Sequence, residues 1–69
     1  MEKHVERMLI EQTELKEKIG KLDAFIDRNP IFGTLPNDER HDMKLQLSAM
    51  KMYSNILQHR IERAAELSK

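Results

Sequence analysis

Apolar residues in the first part of the chain recur at alternating steps of three and four. That spacing places them on one face of an α-helix. One polar residue, Gln12, interrupts the series, and no proline lies between Lys3 and Arg28. The pattern therefore predicts an amphipathic helix over about residues 3–28. Its apolar face consists of Val5, Met8, Gln12, Leu15, Ile19, Leu22 and Ile26.

The helical pattern ends at the stretch "RNPIFGTLPNDE". Asn29 precedes a proline and is disfavoured in a helix, Gly33 permits a positive φ angle, and Pro36 suits the start of another helix. These signals predict a helix-to-helix turn over residues 29–36. The apolar residues of the turn, which we expect to close the end of a helical hairpin, are Ile31, Phe32 and Leu35.

A second series at steps of four and three predicts a helix over about residues 37–67. Two amphipathic helices joined by a short turn are typical of an antiparallel hairpin. We therefore expect an all-α fold in which residues 1–69 form a single helical-hairpin domain. The face of the second helix that meets the first consists of Met43, Leu47, Met50, Ser54, Leu57, Ile61 and Ala64.

The second helix also carries another apolar series, which we call the second stripe: Leu45, Ala49, Met52 and Ile56. Each member lies two residues from a member of the first series, which is about 200° around a helix. Burying the three larger side chains would contribute about 1.5–3 kcal/mol apiece. We therefore expect a homo-oligomer, a dimer or tetramer of hairpins that forms a coiled-coil-like helical bundle. The alternative is that this apolar surface is simply tolerated in water.

Composition strengthens the expectation of assembly. A chain of 69 residues without cysteine has few ways to supplement a small core, and oligomerisation is one of them. Twelve basic and twelve acidic residues cancel, so there is no overall field to attract DNA, RNA or an anionic membrane. No apolar run approaches the roughly 20 residues that span a bilayer. We expect a soluble, cytoplasmic protein with no nucleic-acid polymer and no membrane as partner.

Signals of catalysis are scarce in the sequence. There is no phosphate-binding glycine loop, no cysteine nucleophile and no pair of histidines at zinc-ligand spacing. His4, His41 and His59 are dispersed among charged neighbours. We expect no metal, no cofactor and no enzymatic activity.

Gln46, Tyr53 and Arg60 are spaced by seven residues and share one column of the second helix. The column lies between the two apolar series, where a hairpin core would meet a neighbouring protomer. A ring, a guanidinium and an amide can stack on a base, pair with phosphate and bond a base edge. The alternative is structural: Tyr53 fills an interface with its hydroxyl in water, and Arg60 pairs with a glutamate.

Lys51 and Asn55 belong to a polar face of the second helix, which is most simply a solvated surface. In an oligomer, the same two residues from two chains would approach one anion. Arg28, at the tip of the hairpin, either caps the end of the first helix or takes part in binding. We retain all three as candidate ligand-binding residues.

Two motifs of the chain are N-P-x-F at residues 29–32 and Q-L-x-A-M-x-x-Y-x-x-I-L-x-x-R-I at residues 46–61. With this pattern the chain resembles a family of very short, phage-encoded helical-hairpin proteins. Small oligomeric phage proteins include nucleotide sponges that defeat CBASS and related bacterial immunity. The resemblance implies immune evasion in an infected bacterial cell, by binding a cyclic dinucleotide or similar second messenger without cleaving it. It also implies that the ligand lies between protomers, near Tyr53 and Arg60.

A different class of function stays open from the sequence. The second stripe also suits a small structural or adaptor protein that docks on a host or virion protein and binds no small molecule.

Overall fold

The computed structural model describes residues 3–67 as two long helices joined by a short turn. Helix α1 spans Lys3–Arg28 and helix α2 spans Asn37–Leu67. The helices pack against each other along an elongated body of about 51 × 15 × 14 Å. This architecture confirms the predicted all-α hairpin. Within the described residues there is no helix that is long and apolar enough to cross a membrane.

The core lies where the two predicted apolar faces meet. Val5 on α1 and Leu57 on α2 are almost completely enclosed, with exposures of 1% and 0%. Every other member of the two faces is buried or half-buried. The core is tightest toward the open end of the hairpin, where Met8 and Ile61 complete a cluster with Val5 and Leu57.

A polar cross-link fixes the position of α1 along α2. The side-chain amide of Gln12 donates to the backbone oxygen of Ser54 at 2.9 Å and to Gln58 Oε1 at 3.2 Å. Ser54 Oγ donates in return to Gln12 Oε1 at 3.0 Å. Both Gln12 and Ser54 are buried. These bonds form at only one alignment of the helices, so they set the register of α1 along α2.

The turn is more ordered than a simple loop, because Pro30–Thr34 form a short 3₁₀ helix. Asn29 caps this helix by accepting a hydrogen bond from the backbone N–H of Ile31 at 2.9 Å. The ring of Phe32 meets the ring of Phe25 edge to face, with centroids 6.2 Å apart. The turn is therefore anchored to α1 by an aromatic pair.

One expectation for the turn was wrong in part. Ile31 does not close the end of the hairpin, because its side chain is 57% exposed, whereas Phe32 and Leu35 are half-buried. Gly33, which permits a positive φ angle, does not adopt one. The 3₁₀ helix explains both results, since it turns Ile31 outward and keeps Gly33 in a backbone region that any residue can adopt.

Candidate functional site

Tyr53 lies at the seam between the two helices, and its side chain is 39% exposed. Its hydroxyl donates a hydrogen bond to Glu11 Oε2 on α1. The structural alternative left this hydroxyl to water alone, whereas it also has a protein partner, at an exposed position. The bond holds one edge of the ring against α1.

The electrostatic surroundings of Tyr53 act in two directions. The hydrogen bond to Glu11 is the main cause that raises the pKa of Tyr53, and desolvation and the negative charge of Glu11 raise it further. The positive charge of Arg60 opposes them and lowers the pKa. Glu11, Tyr53 and Arg60 thus form one electrostatic group that joins both helices.

Arg60 borders a depression of about 250 Å³ at the open end of the hairpin. The lining combines three nitrogen-bearing side chains with an apolar floor. These residues are His4, Met8, Arg60, Arg63, Ala64 and Leu67. Two guanidiniums beside apolar groups suit an anion that carries an apolar or planar part.

Gln46 occupies the predicted column but lies away from this depression. Its side chain is exposed, and its amide points to the sulfur of Met50 at 4.0 Å, which is a weak contact. Within one chain, Gln46 therefore does not join Arg60 in a single cavity.

Lys51 and Asn55 are exposed on another side of α2. Each lies two residues from Tyr53, which is about 200° around the helix axis. A single hairpin does not bring either residue to Tyr53, so a shared site would require another protomer.

Arg28 lies at the hairpin tip, far along the body from Arg60. Its guanidinium Nε is 3.7 Å from Asp27 Oδ2, and both side chains are exposed. It borders an open depression of about 570 Å³. The other lining residues are Lys21, Ala24, Phe25, Asn29 and Pro30.

The second stripe is exposed along the middle of α2. Leu45, Met52 and Ile56 have exposures of 55%, 66% and 51%, and Ala49 is also exposed. On a helical wheel the stripe is about 70° from the column of Tyr53 and Arg60. A molecule that covers the stripe would therefore also approach Tyr53.

Sequence reasoning missed three residues of this region: His4, Glu11 and Arg63. Glu11 is recognisable only when the register of the two helices is known, since no spacing within α1 marks it. Arg63 carried a local signal, because it follows Arg60 by three residues and so shares its face. His4 comes from the opposite end of the sequence and reaches the depression through the hairpin topology.

No group of three or more potential metal ligands from His, Asp or Glu occurs among residues 3–67. The protein is thus a small helical hairpin. The polar side chains of Glu11, Tyr53 and Arg60 lie at its seam, beside the exposed second stripe.

The chain can also be assigned to a protein family. The model of the Sequestin family matches residues 2–63, and the chain belongs to that family. The family name suggests a sequestering, that is, a binding, protein. No curated protein and no solved structure matches the chain.

Proposed function

We propose that the protein is a phage immune-evasion protein that sequesters a cyclic oligonucleotide, or a related nucleotide second messenger, without cleaving it. Its place of action would be the cytoplasm of the infected bacterial cell. The observation that carries the proposal is the position of Tyr53 and Arg60 at a seam beside an exposed apolar stripe. Membership of the Sequestin family supports the binding role.

The side chains at the seam suit the parts of a nucleotide. The partly exposed ring of Tyr53, held at one edge by Glu11, offers an aromatic face for a base. Base stacking of this kind contributes about 1–3 kcal/mol. Arg60 and Arg63 border the same depression and provide donors for phosphate oxygens. Binding requires no group that attacks or protonates the ligand.

The proposal includes assembly into a homo-oligomer. The depression beside Arg60 has a volume of about 250 Å³, whereas pockets for small molecules usually measure about 300–1,000 Å³. Pairing through the second stripe would bring another wall to the seam and repeat every binding group by symmetry. Lys51, Asn55 and Arg28 would contribute only through contacts between protomers.

The exposed stripe also favours a second candidate, an adaptor that docks on a host or virion protein. An amphipathic helix can place such a face in a groove of its partner. The two functions differ in their ligand: the adaptor binds a protein and no nucleotide.

Calorimetry with a panel of cyclic di- and trinucleotides and adenine-derived signals tests the proposal. We expect at least one ligand to bind, and to be recovered chemically intact after the protein is denatured. Arg60→Gln should weaken binding at least tenfold, because hydrogen bonds to charged groups contribute about 1.5–3 kcal/mol. Lys16→Gln is the matched control, since it removes one positive charge from an exposed position of α1.

Failure of every nucleotide in the panel to bind would contradict the proposal. Recovery of a cleaved ligand would contradict the absence of catalysis. Stoichiometric capture of one host or virion protein, lost on Met52→Glu, would support the adaptor instead.

A further inference from the structure

The first turns of α2 separate their charges by side. Asn37, Arg40, His41 and Lys44 follow the spacing i, i+3, i+4 and i+7, so they share one face of the helix. The three acidic residues of the same segment lie on the other side at 100° per residue. They are Asp38, Glu39 and Asp42.

The basic face borders a depression of about 290 Å³ near the hairpin tip. Its fifth lining residue is Phe32, which the 3₁₀ helix places beside the start of α2. Lys44 Nζ lies 5.9 Å from the centroid of the Phe32 ring. The lining thus combines cationic side chains with a phenyl ring and contains no carboxylate.

The guanidinium of Arg40 has more hydrogen-bond donors than its bond to the protein uses. One Nη2 bond goes to Asn37 Oδ1, which orients the guanidinium within the lining. Its Nε is buried and has no hydrogen-bond partner among the described residues. Buried donors are seldom left unpaired, because each costs free energy. An anion that entered the depression would accept hydrogen bonds from the Nη groups of Arg40, whose guanidinium the bond to Asn37 has already oriented.

We propose that this depression binds the phosphate group of a small phosphate monoester that carries a flat, apolar part. Arg40 and Lys44 supply two positive charges, which match the charge of a phosphate monoester. Arg40 presents a planar set of donors suited to phosphate oxygens. Phe32 supplies an apolar wall for the remainder of the ligand.

This site is distinct from the seam at Tyr53 and Arg60. About 20 residues of α2 separate Arg40 from Arg60, which corresponds to roughly 30 Å along the helix. The inference does not depend on the nucleotide ligand proposed above, and either can fail without the other.

The experiment is a titration followed by two-dimensional amide NMR at constant ionic strength. The two probes are phenyl phosphate and inorganic phosphate, which separate an ester with a planar group from the free ion. We expect phenyl phosphate to bind more tightly and to shift the amide signals of Phe32 and residues 37–44. Arg40→Gln should weaken its binding at least tenfold, whereas Lys16→Gln should leave it unchanged.

Lys44→Gln provides a second variant at an exposed position, so the test does not depend on Arg40→Gln remaining folded. It should weaken phenyl phosphate binding severalfold. Equal affinity for both probes would remove the role of Phe32 and leave a site for free phosphate. Shifts spread over basic residues of the whole chain, or equal losses in Lys44→Gln and Lys16→Gln, would overturn the proposal.

Discussion

At the scale of single residues, Tyr53 connects the two helices and is influenced by one negative and one positive side chain. Its hydroxyl bonds to Glu11 across the seam, and Arg60 acts on it from its own helix. Glu11 raises the pKa of Tyr53 and Arg60 lowers it, so the two effects can be separated by experiment.

We predict that the pKa of Tyr53, measured by the absorbance of the phenolate, lies above its usual value of about 10. Glu11→Gln should lower this pKa, because it removes the negative charge and the strongest acceptor of the hydroxyl. Arg60→Gln should raise it, since the charge that stabilises the phenolate is lost. Tyr53 is the one tyrosine in the chain, so the signal has a single source.

Glu17→Gln serves as the control for lost negative charge on α1 and should leave the pKa unchanged. The sign for stability follows from linkage: the folded chain holds the phenolic proton more tightly than the unfolded chain. The stabilisation is complete below the unfolded pKa of about 10 and is lost as pH rises through the higher folded pKa. An identical pKa in the wild type and in Glu11→Gln would refute the contact.

The sequence identified Tyr53 and Arg60 as notable because spacing within one helix is visible in the chain. It did not identify Glu11 as the partner of Tyr53, because that pairing depends on how far α1 slides along α2. Spacing alone also placed Gln46 in the same column, yet its amide lies outside the depression at Arg60. The periodicity within a helix predicts which residues share a face of that helix. Predicting which residues of α1 and α2 touch also requires the register between the two helices.

At the scale of helices, the register is set by a polar pair in an apolar interface. Gln12 and Ser54 exchange hydrogen bonds between α1 and α2, and both are buried. Periodicity placed both residues on the inner faces correctly, because those faces are otherwise apolar. It could not pair them, since each helix was interpreted separately.

A double-mutant cycle tests this pair. Gln12→Met keeps the approximate volume but removes the amide, and Ser54→Ala removes the hydroxyl. We expect the losses in free energy of unfolding to be non-additive by about 0.5–3 kcal/mol, because the second change costs less when its partner is already absent. Chemical denaturation of the four proteins measures the coupling.

Thr13→Ala supplies the control, because Thr13 Oγ1 bonds only within α1, to the Leu9 oxygen at 3.0 Å, and is exposed. Its combination with Ser54→Ala should be additive within about 0.5 kcal/mol. Additive losses for Gln12→Met and Ser54→Ala would show that the cross-link does not couple the helices.

The turn shows a second limit of sequence reasoning at this scale. Proline, glycine and asparagine marked its position, but they did not specify a 3₁₀ helix. The conformation decides which apolar side chain faces inward: Phe32 packs on Phe25, while Ile31 faces solvent. A choice of this kind depends on backbone angles that several turn types permit for the same residues.

At the scale of the molecule, α2 has one apolar side covered and another open. The inner face packs on α1, whereas the second stripe is exposed in one hairpin. A 69-residue chain has little core to spare, so covering the stripe would be a substantial gain in stability. The proposed assembly and the proposed ligand site would therefore depend on the same surface.

We predict that the thermal midpoint of the wild-type protein rises with protein concentration, by roughly 5 °C per tenfold for a dimer that unfolds as it dissociates. The double variant Leu45→Glu and Met52→Glu should lose this dependence, because four charges at a two-fold interface would be desolvated close together. Light scattering should then give the mass of one chain for the variant and a multiple of it for the wild type.

The matched control is Ile10→Glu with Ile31→Glu, which adds the same charge at apolar positions that are 59% and 57% exposed. A wild type with the mass of one chain and a constant midpoint would remove the oligomer, and with it the second wall that the nucleotide site requires. Loss of assembly in the control pair alone would instead move the interface from the second stripe to the opposite side of α1 or to the hairpin tip.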